Sequence, residues 1–313
     1  MNNAVTVLHN TQLTTGEDLG GLFSRWVRFI EGSDKTVETY TRQVRQFIAY
    51  LQAHGITEPT KDDIRAYREE LKISHKPATV QGYIMALKQF FKWTEEENLY
   101  PNIARNVKGA KLDTEHKKDP LTPRQVKSLL SGIDRTTLSG KRDYAILSLM
   151  ITTGLRTIEV TRANVEDLRP AGDYMVLYIQ GKGHQERTSY VKVVPEVEDA
   201  IRDYLTGRGK TDPREPLFTT TSNHKTEDGR LTTKSVSRLV KEHLVNAGLN
   251  DDRLTAHSLR HTTATLNLLN GGTLEETQQL LRHTNINTTM IYLDHLTRAN
   301  NNSELRVANA IFV

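Results

Sequence analysis

The segment Thr255-Ala-His-Ser-Leu-Arg-His-Thr262 carries the densest set of side chains able to do chemistry. On a helix, His257 and Arg260 stand at i and i+3 and share a face, so both can reach one anion. His257 and His261 also have the i, i+4 spacing of helical zinc proteases. That metal reading fails in detail, because no glutamate follows His257 and Arg260 would set a cation against the metal. A second group, Thr152-Thr-Gly-Leu-Arg-Thr-Ile-Glu159, places Arg156 just after an apolar run closed by Gly154. Lys182 stands between two glycines in Gly181-Lys-Gly-His-Gln185, and Leu281-Arg-His283 and Ile291-Tyr292 follow near the carboxyl end. Taken singly, each has a plain structural reading: ordinary histidines on a surface helix, an exposed Arg156–Glu159 pair, a solvated turn lysine, a core tyrosine.

Taken together, the tyrosine, two arginines, lysine and two histidines are the groups that metal-free transfer of a phosphodiester requires. Arginine forks neutralise the non-bridging oxygens bidentately. A nucleophile must form a covalent phosphoester, and a proton must reach the departing alkoxide. The chain has no cysteine, which excludes disulfide scaffolds, thiolate metal sites and cysteine nucleophiles. No cofactor or metal is expected.

The elements that must hold these residues are mostly helical. In the 313-residue chain, the length predicts two domains. From Asp34, apolar residues recur at three- and four-residue steps through Leu51, until Gly55 breaks the pattern. Thr60 caps a second helix with Ile64, Tyr67 and Leu71 inward, and Thr79 to Trp93 forms a third. With Leu19 to Ile30 ahead of them, these make a small helical domain. A charged stretch from Lys111 to Pro120 reads as an exposed linker. Thr122-Pro123 then opens a helix through Leu130, and Tyr144 to Thr153 forms another. The one β signal is a hairpin of Tyr174–Ile179 and Thr188–Val193, with Gly181-Lys-Gly at its tip. The fold class predicted is mainly α with a small antiparallel sheet.

Composition adds little. Lys and Arg total 42 against 38 Asp and Glu, a net charge of +4, which permits nucleic-acid binding without establishing it. No stretch reaches the roughly 20 apolar residues of a membrane span, and no signal peptide is visible. A soluble cytoplasmic protein is expected, with no membrane partner.

The order and spacing of the chemical residues resemble the tyrosine recombinase (phage-type integrase) family, its Xer-like two-domain members most closely. The resemblance rests on Gly154-Leu-Arg-x-x-Glu159, the Gly181-Lys182-Gly183 tip, His257-x-Leu-Arg-His261, Leu281-x-His283, and Thr288-Thr289-x-Ile-Tyr292, and spans about Asp18 to Leu296. It implies that Tyr292 attacks the scissile phosphate to give a 3′-phosphotyrosyl enzyme and a free 5′-hydroxyl. Arg156 and Arg260 would clamp the phosphate, and Lys182 would protonate the leaving oxygen. His257 would assist proton transfer at the tyrosine, and His283 would hydrogen-bond the phosphate. Glu159 would position its neighbours, and His261 would be structural. Where the family usually has glycine before the second histidine, Arg282 stands here; it is expected to add a phosphate contact.

The resemblance also implies a domain plan: residues 1–16 an extension, 17–110 a SAM-like helical core DNA-binding domain, 111–120 a linker, 121–300 a mixed α+β catalytic domain, and 301–313 a tail. No arm-binding domain is expected ahead of residue 17. The two domains would clamp duplex DNA, with Arg42, Arg45, Lys76, Thr79 and Lys88 as contacts in the first and Lys234, Arg238 and Lys241 in the second. The partners implied are a double-stranded recombination site, a homotetramer on synapsed DNA, and an accessory or partner recombinase. The apolar tail would pack into a neighbouring protomer or fold back on its own domain. Integration and excision of a mobile element and Xer-like resolution use the same residues. A type IB topoisomerase-like nicking and closing enzyme, and a DNA-binding regulator that no longer uses the chemistry, are the rival readings.

Overall fold

In the computed structural model, residues 19–111, 118–181, 187, 189–221, 228–299 and 301–312 are described. The chain divides into two compact units, Met1–Glu115 and His116–Val313.

The first unit is built from α1 (Leu19–Phe29), α2 (Asp34–Ala53), α3 (Lys61–Ser74) and α4 (Pro77–Glu96). The apolar stripe of α2 is inward as its spacing dictates: Val44, Phe47, Ile48 and Leu51 are buried. Its stop is steric, since Gly55 adopts φ +64°, open to glycine and costly to other residues. At the start of α3, the Thr60 backbone N–H and hydroxyl both donate to the Asp63 carboxylate at 2.7 Å, satisfying an otherwise orphaned donor. Helix α4 begins two residues before the predicted Thr79, because Pro77 occupies the first turn where its missing N–H costs nothing. Trp26 meets Phe90 edge-on at 5.2 Å, and Phe47, Phe91, Ile84 and Leu87 complete the core. Beyond α4, Ala104 and Val107 are buried against the same core.

The second unit runs α5 (Pro123–Ser131), α6 (Leu138–Thr153), α7 (Thr157–Arg162), β1 (Leu168–Ala171), β2 (Tyr174–Ile179), β3 (Ser189–Val193), α8 (Pro195–Arg208), α9 (Thr233–Asn246), α10 (Ala256–Leu269), α11 (Leu274–Leu281), α12 (Asn287–Ala299) and α13 (Ser303–Phe312). Helix α6 is its axis. It is apolar on nearly all sides, with Ala145, Ile146, Leu147, Leu149, Met150 and Ile151 buried, and it packs against α8, α10 and β3. The sheet is antiparallel in the order β1-β2-β3, and β2 pairs with β3 so that Ile179 faces Ser189. The predicted hairpin is therefore present, with an added edge strand; residues 182–186 and Thr188 lie outside the described residues. Lys118 donates to the Asp252 carbonyl and Asp119 pairs with Arg253, while the Leu121 N–H donates to Thr262 Oγ1 at 2.8 Å. The chain thus enters this unit pinned to α10. Among the described residues no helix is long and apolar enough to cross a membrane.

Candidate active site

Helix α6 ends because Gly154 adopts φ +62°. A side chain there would also collide: a Cβ would lie 2.6 Å from Leu281 Cδ2. The turn puts Arg156 at the N-cap of α7 and Glu159 one turn in. Glu159 Oε2 accepts from the Arg156 backbone N–H at 2.7 Å, and Oε1 accepts from Arg156 Nη1 at 3.0 Å. One carboxylate therefore fixes both the backbone and the guanidinium of Arg156. Glu159 itself is 1% exposed, which replaces the exposed pair that its spacing alone suggests.

Helix α10 contributes three residues. Its Thr263 hydroxyl donates to the Ile151 carbonyl at 2.7 Å, locking α10 onto α6. Arg260 is 2% exposed, and its Nη1 and Nη2 donate to the carbonyls of Gly154 and Leu281. Those bonds use two of its five N–H donors. Burial first, and then the charges of Arg156 and Arg282, lower its affinity for a proton to a pKa of about 9, so it is cationic at neutral pH. His257 is exposed, whereas His261 is buried. The two rings stand 4.7 Å apart.

Tyr292, on α12, is 6% exposed and packs edge-on to His261 at 5.0 Å and parallel to His283 at 6.4 Å. Burial raises its pKa, an effect that the charges of Arg260 and Arg156 offset only in part. His283 Nδ1 is hydrogen-bonded to the buried Thr289 hydroxyl at 2.9 Å, which leaves Nε2 as the ring nitrogen available to a substrate. Its pKa is pushed down to about 4, chiefly by burial and then by Arg260, Arg156, Arg282 and His257. The ring is therefore neutral at pH 7.

Arg156, Glu159, His257, Arg260, His261, Arg282, His283 and Tyr292 all line one cavity of about 630 Å³. Its rim includes Ile179, Gly181 and Ser189 from the open end of the sheet. Lys182 lies outside the described residues. The arrangement is a cationic pocket holding a neutral imidazole and a buried phenol, suited to a single phosphodiester. Among the described residues there is no cluster of three or more His, Asp or Glu able to hold a metal ion. Sequence reasoning quoted Thr288 and Thr289 in the approach to Tyr292 but gave neither a role, and it missed Thr284 as a pocket residue.

The expected DNA contacts fall in several places. Lys241 borders a second cavity, of about 550 Å³, together with Arg156, His257 and Arg260, and its Nζ donates to the Asp251 carbonyl. Lys234 and Arg238 are exposed on the same helix, Arg238 beside Glu242 at 3.5 Å. In the first unit, Arg42 and Arg45 line a groove on α2, with the Arg45 guanidinium 5.2 Å over the Phe23 ring. Lys76 and Thr79 are exposed at the start of α4, and Lys88 is half-buried further along it.

The phage integrase family matches residues 120–298, and its N-terminal SAM-like domain matches residues 22–100. The chain belongs to the phage integrase family. The tyrosine recombinase XerC of Chlamydia trachomatis serovar L2 is 33% identical to it over 240 residues, covering 74% of this chain and 72% of that protein. XerD of Lacticaseibacillus casei is 28% identical over 285 residues, covering 87% and 93%. Among solved structures, the fold matches XerH bound to palindromic difH, with TM-score 0.70 at 20% identity over 88% of this chain and 79% of that one. It also matches a lambda integrase (75–356) dimer bound to a COC′ core site, with TM-score 0.66 at 16% identity over 87% and 94%. This phage integrase family member is a tyrosine site-specific recombinase of the Xer/integrase type, an enzyme that cuts and rejoins DNA.

Proposed function

We propose that Tyr292 is the nucleophile and that the enzyme works through a 3′-phosphotyrosyl intermediate. The observation that carries this reading is the convergence of Arg156, His257, Arg260, His283 and Tyr292 on one cavity from four helical elements. Arg156 and Arg260 bind the non-bridging oxygens of the scissile phosphate. The phenol oxygen attacks phosphorus as its proton passes to His257. The bond to the 5′-oxygen breaks, and Lys182 supplies the proton that this oxygen takes up. Each proton transfer is worth about 10²–10⁴-fold. His283, neutral and oriented by Thr289, donates a hydrogen bond to a phosphate oxygen through Nε2. Attack by the 5′-hydroxyl of a partner duplex reverses each step and releases Tyr292, so the bond energy is conserved within the intermediate.

The partner is a double-stranded recombination site held by both units, with Arg42, Arg45, Lys76, Thr79 and Lys88 in the first and Lys234, Arg238 and Lys241 in the second as backbone contacts. Such contacts position the protein without reading sequence. Helix α13 supports a tetramer on synapsed DNA: it buries none of its side chains, leaving Leu305, Val307, Ile311 and Phe312 exposed. A tail that seats in the next protomer covers that face. The residues serve mobile-element integration and excision, our first reading, and Xer-like resolution equally well; the crossover sequence decides between them.

Covalent capture tests the chemistry. Nicked fragments of the flanking DNA are incubated with the protein and denatured, and the attached DNA is sequenced. The expected result is an adduct that is absent in Tyr292→Phe while DNA binding persists. Tight binding with no adduct from the wild-type protein would instead support a non-catalytic regulator. Supercoil relaxation without joining of two duplexes would support the topoisomerase-like reading.

A further inference from the structure

Arg282 is one of only two non-glycine residues with positive φ among the described residues, at φ 56° and ψ 46°. It is the C-cap of α11, where its N–H bonds the Gln279 carbonyl and the next N–H, that of His283, bonds Gln278. Glycine takes this left-handed conformation freely, whereas a residue with a Cβ does not. An arginine held there carries a backbone cost that its side-chain contacts can offset. That side chain turns inward. Nη1 donates to the Leu280 carbonyl at 2.7 Å and to Thr153 at 3.4 Å. Nη2 donates to the Gly154 carbonyl at 3.4 Å and to Glu159 Oε2 at 3.0 Å. Its side chain is only 16% exposed, and that of its partner Glu159 only 1%.

We infer that Arg282 is a positioning residue for strand cleavage: it clamps the Glu159 carboxylate through Oε2, so that Glu159 holds Arg156 in one orientation toward the phosphate. Oε2 of Glu159 receives both the Arg156 backbone N–H and Arg282 Nη2, while Oε1 receives the Arg156 guanidinium. Without Arg282, a buried carboxylate has one charged partner in place of two and can rotate toward it. Arg282 also shares the Gly154 carbonyl with Arg260, so one side chain braces both phosphate-binding arginines. This role takes the place of the direct phosphate contact expected from the sequence, because both terminal nitrogens already face protein acceptors and the remaining donor, Nε, is buried.

The inference rests on the proposed phosphotyrosyl chemistry, and the test separates the two. The substrate is the nicked duplex bearing the captured crossover site, and the readout is the rate of adduct formation by wild-type, Arg282→Gly, Glu159→Gln and the double variant. Glycine suits the backbone but leaves the buried Glu159 with one charged partner, so Arg282→Gly should fold yet melt below the wild-type temperature. It should slow adduct formation by about tenfold or more, since misplacement by about 1 Å costs up to about 100-fold. Its salt slope of DNA binding should be unchanged, and its effect should largely vanish in the Glu159→Gln background, a coupling that a merely structural role would not produce. If the glycine variant is insoluble, Arg282→Gln carries the same measurement. A salt slope reduced by about one would reveal a phosphate contact and overturn the inference. So would a wild-type rate in Arg282→Gly, or strictly additive effects with Glu159→Gln. No adduct from the wild-type enzyme would overturn the catalytic reading along with it.

Discussion

Trp26, Phe47, Phe90 and Phe91 fill the centre of the helical unit, whereas the same depth of the catalytic unit around α10 holds Arg260, His261, Thr262 and Thr263. The first core is ordinary apolar burial, worth about 1.5–3 kcal/mol for each large side chain, and its expected DNA contacts sit outside it. The second spends interior volume on polar groups, each of which costs free energy unless bonded. Stability and function are separable in the first unit and share the same atoms in the second. A protein that grips DNA needs only a surface, while one that breaks a phosphodiester needs cations held away from water.

Substitutions that force this contrast into the open differ in size. Phe47→Ala should destabilise the helical unit by about 3–5 kcal/mol. Urea unfolding should then show an early transition confined to that unit, with DNA affinity lost in step with it. Gly154→Ala should cost the catalytic unit less, about 1–2 kcal/mol for a left-handed alanine, because the colliding atom is the tip of the Leu281 side chain and can give way. Its loss of cleavage should nevertheless exceed its loss of stability, since the Gly154 carbonyl holds Arg260. Equal losses, measured by denaturation and adduct kinetics, would break the comparison. A third effect is a pH dependence. His283 has its pKa depressed from 6.5 to about 4, so the unfolded chain binds the extra proton first. Stability should therefore fall as pH drops from about 6.5 to about 4, and be fully present above that window. His283→Asn should flatten this slope, as read from urea melts across the range; an unchanged slope would place the titration elsewhere.

How much of this was legible in the sequence follows the range of the interactions involved. The stripe of α2, the caps at Thr60 and Thr122, and the stop at Gly154 are local, and each was readable from spacing. Strand β1 was not, because Leu168-Arg-Pro-Ala171 contains a proline and gets its register from β2 alone. Helix α6 begins at Leu138, six residues before its apolar run. Its first turns carry Arg142 and Asp143, polar residues that are well covered because Thr219 and His243 bond them from distant parts of the chain. Glu159 shows the limit most clearly. Three residues from Arg156, it read equally as an exposed pair. It is buried instead, and its second charged partner is Arg282, 123 residues further on. The motif order pointed to the chemistry, and only the fold shows which charges hold which.

One consequence follows from where α6 ends. The carbonyls of Thr153 and Gly154 close a sixteen-residue helix, whose aligned peptides place roughly half a negative charge at that end. Arg260 and Arg282 sit directly upon it. With Arg156, that makes three guanidinium groups sharing one carboxylate and a fraction of a charge. The pocket's own charges are thus unbalanced: the helix end keeps the arginines gathered against their mutual repulsion, yet is too weak a counter-ion to satisfy them. On the proposed reading, an arriving phosphate supplies the missing charge.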